Sequence, residues 1–238
     1  MKKYFFIAIF LIFNFTIYGQ VFPEPPAINY FQYLDFEPMN NWSEIKIWGW
    51  SKNSKLAYSN KKIIDGRGGI ITTVFILDIK TDAIVFEKSI DTEDFDGDDK
   101  EGYNYAYRNF MCDYIDVCAK NGIEFAQTEF KSIPIKHNTH TVNVKIEKEE
   151  KIGVWEESDI EIYGNIGSYK LIAKNKNGQK TIHQNTFMQA ANDVIVCGYF
   201  NSPFEDRALI IIGEYVRAFE GWDVEFILIG CHLSNGFQ

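Results

Sequence analysis

Positive charge is scarce in this chain. Its 24 Lys and Arg face 33 Asp and Glu, a formal charge of −9. Two of the lysines and none of the acids fall in the first 20 residues, so the other 218 carry 22 basic and 33 acidic side chains, or −11. Phosphate backbones are held by clustered Lys and Arg, so this balance argues against a nucleic-acid partner. Cysteine is also sparse, with four residues and no C-x-x-C spacing, which excludes a disulfide scaffold and the usual zinc and redox motifs. After residue 20 no apolar run is long enough to span a bilayer. No G-x-S-x-G elbow is present. The glycines at Gly66, Gly68 and Gly69 lie between two strand-like segments rather than before a helix, so they do not form a phosphate cradle. What the chain does have is apolar mass. A hydrophobic content of 46% excludes a mostly disordered protein and suits one domain, or two small ones, with a real core.

The amino terminus reads as an address. Met1-Lys2-Lys3 is basic, and Tyr4 to Tyr18 is apolar except for Asn14 and Thr16. Gly19-Gln20 then offers a small-residue boundary before Pro23, Pro25 and Pro26. This order is that of a secretory signal peptide, with residues 1–20 removed and 21–238 exported to the periplasm or beyond. No cysteine at the boundary offers a lipid attachment point. Export permits disulfides. Cys112 and Cys118 fall six apart on one expected helix, too far for a bridge. Cys197 and Cys231 lie in apolar strands and can pair if those strands are neighbours; otherwise all four cysteines are buried thiols.

The pattern along the chain predicts a mainly β, α+β protein with antiparallel sheets. Residues 42–98 read as a four-strand meander, with turn chemistry at Ser51–Lys55, a glycine break at 66–69 and a turn at Lys80-Thr81-Asp82. Tyr103, Tyr107, Phe110, Met111, Tyr114, Ile115 and Cys118 repeat at the spacing of one helix face, so a single amphipathic helix is expected over about 103–121, within 99–122. Asn121-Gly122 is its stop signal. A second β region follows over 139–238, with strands expected at 141–148, 160–163, 169–174, 181–186, 194–200, 208–216 and 224–233. Asn177-Gly178 marks a hairpin between two of them.

Several clusters carry candidate chemistry. Asp91, Asp94, Asp96, Asp98 and Asp99 form the densest acidic run. Asp94, Asp96 and Asp98 alternate as calcium-loop ligands do, although the glycine falls at Gly97 and no Glu stands at the twelfth position. The same acids directly precede the expected helix and suit its positive end, so no cofactor is required and Ca²⁺ is the one to test. His137 and His140 are three apart beside a strand, with no third ligand at a metal-site spacing. Glu156, Glu157 and Asp159 are paired carboxylates of the kind used in glycoside hydrolysis, and equally of the kind that decorates an acidic surface. Trp42, Trp48 and Trp50 share one alternating face. Buried, that stripe is core; exposed, it stacks on sugar rings or peptides.

Trp50-Ser51-Lys52-Asn53-Ser54-Lys55-Leu56-Ala57-Tyr58, followed by Val74 to Asp78, resembles the W-S-x-D-G-x-x-A-Y hairpins of TolB-like and WD40-like propeller blades. Over residues 45–233 the chain is similar to a family of predicted secreted bacterial proteins of unknown function. That family joins a blade-like hairpin, a helix with a G-I exit (here Gly122-Ile123), and two apolar strands around G-F-E-G. Phe219, Glu220 and Gly221 match that motif, while Ala218 stands in place of its first Gly and Asn53-Ser54 in place of the hairpin's D-G. The resemblance implies export and a shared fold, and no activity. The expectation is an exported binding or envelope-associated module that takes a protein or glycan through aromatic strand faces. The alternatives are a hydrolase of envelope or extracellular polymers and a calcium-stabilised structural protein.

Overall fold

The computed structural model describes residues 43–63, 69–96, 99–126, 128–151, 166–218 and 221–238. The expected meander forms as β1 (Ser43–Ser51), β2 (Lys55–Ile63), β3 (Ile70–Asp78) and β4 (Ala83–Asp91), each antiparallel to the next. A short β5 (Ile123–Phe125) adds to the free edge of β1, giving the order β4-β3-β2-β1-β5. Between β4 and β5 runs α1 (Lys100–Lys120). It starts three residues before the expected boundary because Asp99 caps it, its side chain accepting from the Gly102 amide. Asn121 and Gly122 end it as expected, with Gly122 at φ 69°.

The second β region makes two further antiparallel sheets. One has the order β6 (Ile135–His137), β7 (His140–Glu150), β8 (Ile166–Asn175) and β9 (Gly178–Ala191). The other has the order β10 (Asp193–Asn201), β11 (Arg207–Ala218) and β12 (Gly221–His232). A hairpin joins β8 to β9 where the Asn-Gly signal places one, but its register is one residue off: Asn175 pairs with Gly178, so Lys176 and Asn177 are the central turn residues and Gly178 opens β9. The expected strand at 160–163 lies outside the described residues.

Three apolar clusters stack these elements into layers. On one face of the five-stranded sheet, Phe110, Tyr114 and Cys118 of α1 bury against Trp48, Ala57, Val74 and Ile76. On its other face Ile45, Ile47, Trp50 and Leu56 meet Leu209, Ile211 and Leu228 of the three-stranded sheet. That sheet's opposite face places Ala208, Ile210, Ile212 and Ile229 against Tyr169, Leu171 and Ala173 of the four-stranded sheet. The three-stranded sheet is therefore buried on both faces. This is why β11 reads as an unbroken apolar run instead of alternating.

Two glycines allow close backbone approach, one between layers and one between paired strands of the five-stranded sheet. A side-chain carbon at Gly230 would lie 1.8 Å from the Ile79 carbonyl, at the turn between β3 and β4. One at Gly49 would lie 2.3 Å from the Glu124 carbonyl on β5. The β3–β4 turn is also tied to β12 by the Gly230 amide, which donates to Asp82 Oδ1 at 2.7 Å.

Candidate functional site

Trp48 and Trp50 are core residues rather than parts of a binding stripe. Trp48 is 8% exposed and Trp50 is fully buried, and Trp42 lies outside the described residues. They also do not share a face. The β1–β2 register shifts between Ile47 and Gly49. That bulge sends Trp48 toward α1, edge-on to Tyr114 at 6.3 Å, and Trp50 toward the three-stranded sheet. Each indole N–H is satisfied, Trp48 Nε1 donating to Ser59 Oγ at 2.9 Å and Trp50 Nε1 to Thr128 Oγ1 at 3.3 Å.

Cys197 and Cys231 are not brought together either. β11 lies between β10 and β12, so their strands are not neighbours. Cys197 faces the five-stranded sheet and Cys231 faces the four-stranded sheet, on opposite sides of the central one. Burial pushes Cys197 up to about 12 and Cys231 up to about 11, as it does Cys118 to about 12. Cys112 is exposed on α1.

Of the acidic run, Asp94 ends a short 3-10 turn (Thr92–Asp94), Asp96 follows it, and Asp98 lies outside the described residues. Among the described residues no three His, Cys, Asp or Glu side chains are grouped to hold a metal ion. His137 and His140 pair across the tip of the β6–β7 hairpin, with Nε2 atoms 3.7 and 3.6 Å from the two oxygens of Asp206. Asn138 Nδ2 donates to the same carboxylate at 3.1 Å, so this trio fastens the hairpin to the β10–β11 loop. Glu156, Glu157 and Asp159 lie outside the described residues, as do Phe219 and Glu220; Gly221 opens β12 opposite Ala218.

The acidic run does line a hollow. Thr92, Glu93, Phe95, Asp96, Asp99, Lys100, Tyr103 and Asn104 line an open hollow of about 670 Å³ at the amino-terminal end of α1. That volume lies within the range of small-ligand sites. The floor is held in place by local bonds. Thr92 Oγ1 accepts from the Ile70 amide at 2.7 Å, and Asp91 Oδ1 accepts from the Glu93 amide at 3.0 Å. Asp99 Oδ1 accepts from Gly102 at 2.9 Å, so part of its capacity is spent on the helix.

Phe95 and Tyr103 form the aromatic wall, edge to face with centroids 5.5 Å apart and planes at 79°. Tyr107 continues it, 5.9 Å from Tyr103. Burial pushes the Tyr103 hydroxyl pKa up, so this phenol stays protonated and able to donate. The hollow thus combines ring faces, carboxylate acceptors, and donors from Lys100, Asn104 and Tyr103. Sequence reasoning found Asp96 and Asp99 here but read Tyr103 only as a packing residue and passed over Glu93, Phe95, Lys100 and Asn104.

A second polar cluster sits inside the core. Glu214 of β11 is 3% exposed. Its Oε1 accepts from Tyr169 Oη at 2.5 Å and Asn185 Nδ2 at 3.0 Å. Sequence reasoning missed it inside the apolar strand expected at 208–216. The available signal was a charged residue two positions after Ile212, on the face that Ala208 and Ile210 bury.

No protein-family model, no curated protein and no solved structure matches the chain. Among the described residues no helix is long and apolar enough to cross a membrane.

Proposed function

We propose that this is an exported, non-enzymatic binding module whose ligand seat is the hollow beside α1, and that the ligand is a glycan or other polyhydroxylated molecule. The observation that carries the reading is the pairing of the Phe95–Tyr103 wall with carboxylate acceptors and amide, ammonium and phenol donors in one concavity. Sugar rings offer apolar C–H faces to aromatic rings and hydroxyls to such side chains. Export is proposed on the basic start and apolar run of residues 1–20. The burial of Trp48 and Trp50 moves the seat from the strand faces to the helix end.

The test is a thermal-shift screen of cell-wall and storage sugars with the wild type and Tyr103→Ala. A ligand that binds only the folded state raises Tm by mass action. A rise that Tyr103→Ala abolishes supports the reading, and a flat response across the panel defeats it. Glu93, Asp96 and Asp99 in the same hollow favour hydrolysis as the second reading, because glycoside cleavage uses a carboxylate pair. Turnover of the bound sugar separates the two.

A further inference from the structure

The core ladder between β11 and β12 contains an anomaly. Ala208 faces Cys231, Ile210 faces Ile229 and Ile212 faces Ile227, all on the side that packs against the four-stranded sheet. The next rung is Glu214 facing Glu225. Directly opposed residues hold their side chains about 5 Å apart at Cβ, and like charges at such a rung repel. Glu225 is exposed, whereas Glu214 is almost wholly buried.

Both donors to Glu214, from Tyr169 and Asn185, reach the same oxygen, Oε1. Among the described residues nothing donates to Oε2, and no Lys or Arg pairs with Glu214 or Glu225. Oε2 is not sealed off; the only sealed, unbonded side-chain atom among the described residues is Asn201 Oδ1. His183, beside Tyr169 with ring centroids 5.8 Å apart, does not supply the missing charge, since burial lowers its pKa and keeps it neutral. With donors on one oxygen only and no cation, a carboxylate this buried has its desolvation cost offset only in part.

We propose that Glu214 and Glu225 form a second binding site, separate from the hollow beside α1, that takes a guanidinium group. The choice of cation follows from the geometry. No three acid or His side chains converge for a metal. A guanidinium is planar and weakly hydrated, and its fork of donors suits two carboxylates carried by directly opposed strand residues, one of them with an oxygen that no described residue bonds. A compact ammonium loses more hydration on entering a site this buried. The guanidinium belongs to a small free molecule or to an arginine side chain of a protein partner, and the chemistry at the carboxylates is the same.

The test is a thermal melt of the purified protein titrated with agmatine, with n-butylamine, and with a blocked Gly-Arg-Gly peptide, all at constant ionic strength. Agmatine is expected to raise Tm saturably. Glu225→Gln, a change at an exposed side chain, is expected to weaken the apparent affinity roughly tenfold or more, as loss of a charge-assisted bond does. Glu214→Gln should do the same if it folds; the Glu225 variant decides the matter if it does not. A response to the peptide equal to that of agmatine assigns the site to a protein-borne arginine, and a response to agmatine alone assigns it to a free guanidine. No response to any probe, an agmatine response unchanged in Glu225→Gln, or an equal response to n-butylamine overturns the proposal.

Discussion

Replacing Tyr169 by Phe removes one hydroxyl from the core and leaves the ring in place. The ring is 1% exposed and packs beside Phe187 at 5.9 Å, so the change is almost purely polar. The lost bond is the 2.5 Å contact to Glu214 Oε1, one of only two that the carboxylate receives. A hydrogen bond to a buried charged acceptor is worth about 1.5–3 kcal/mol. For a chain of this size that corresponds to a fall in Tm of roughly 3–12 °C. Urea denaturation of the wild type, Tyr169→Phe, Glu214→Gln and the double variant closes the cycle. With Gln at 214 the same bond is neutral, so Tyr169→Phe should cost only about 1 kcal/mol there. A cost below about 0.5 kcal/mol in the wild type, or an equal cost in both backgrounds, refutes the account of Glu214 as an anion held by charge-assisted bonds.

Other consequences follow from the same geometry. Gly230→Ala would drive a methyl into the Ile79 carbonyl and should lower stability by about 3 kcal/mol or more, read as an earlier urea midpoint. Asp99→Ala removes the α1 cap and should cost about 1 kcal/mol, measured by the same melt. His183 and His232 both have their pKa lowered by burial, so below the ordinary value of 6.5 the unfolded chain binds more protons than the folded one. Stability is then complete above that pH and falls as the solution is acidified through the lowered values; His183→Gln should flatten the fall. A thiol reagent should label Cys112 rapidly, and Cys118, Cys197 and Cys231 only on unfolding, because burial holds those three in the protonated form.

The fold was legible where periodicity was long. The meander, the helix and the apolar runs of β10, β11 and β12 follow from spacing alone, and the place of the β8–β9 hairpin follows from Asn177-Gly178, although the turn itself is centred one residue earlier. What stayed hidden depended on register or distance. The bulge at Ile47 to Gly49 divides two tryptophans that an ideal strand would place side by side. β5 and β6 have three residues each, too few to show a period. The pairing of Cys197 with Cys231 turned on strand order and on which face each strand presents, and neither is written locally. At the candidate site the acids were visible as a charge run. The Phe95–Tyr103 wall was not, because it joins a turn residue to a helix residue eight positions on. Glu214 was masked by the apolar strand around it, although a charge on a core-facing position is the kind of local contradiction that marks a special site.

The seat beside α1 is tested most directly by mapping amide chemical shifts while a sugar that raises Tm is titrated into the labelled protein. The account predicts shifts concentrated at Thr92, Phe95, Tyr103 and Asn104, with the β11–β12 ladder unchanged. Shifts confined to other residues, with those four still, would contradict it.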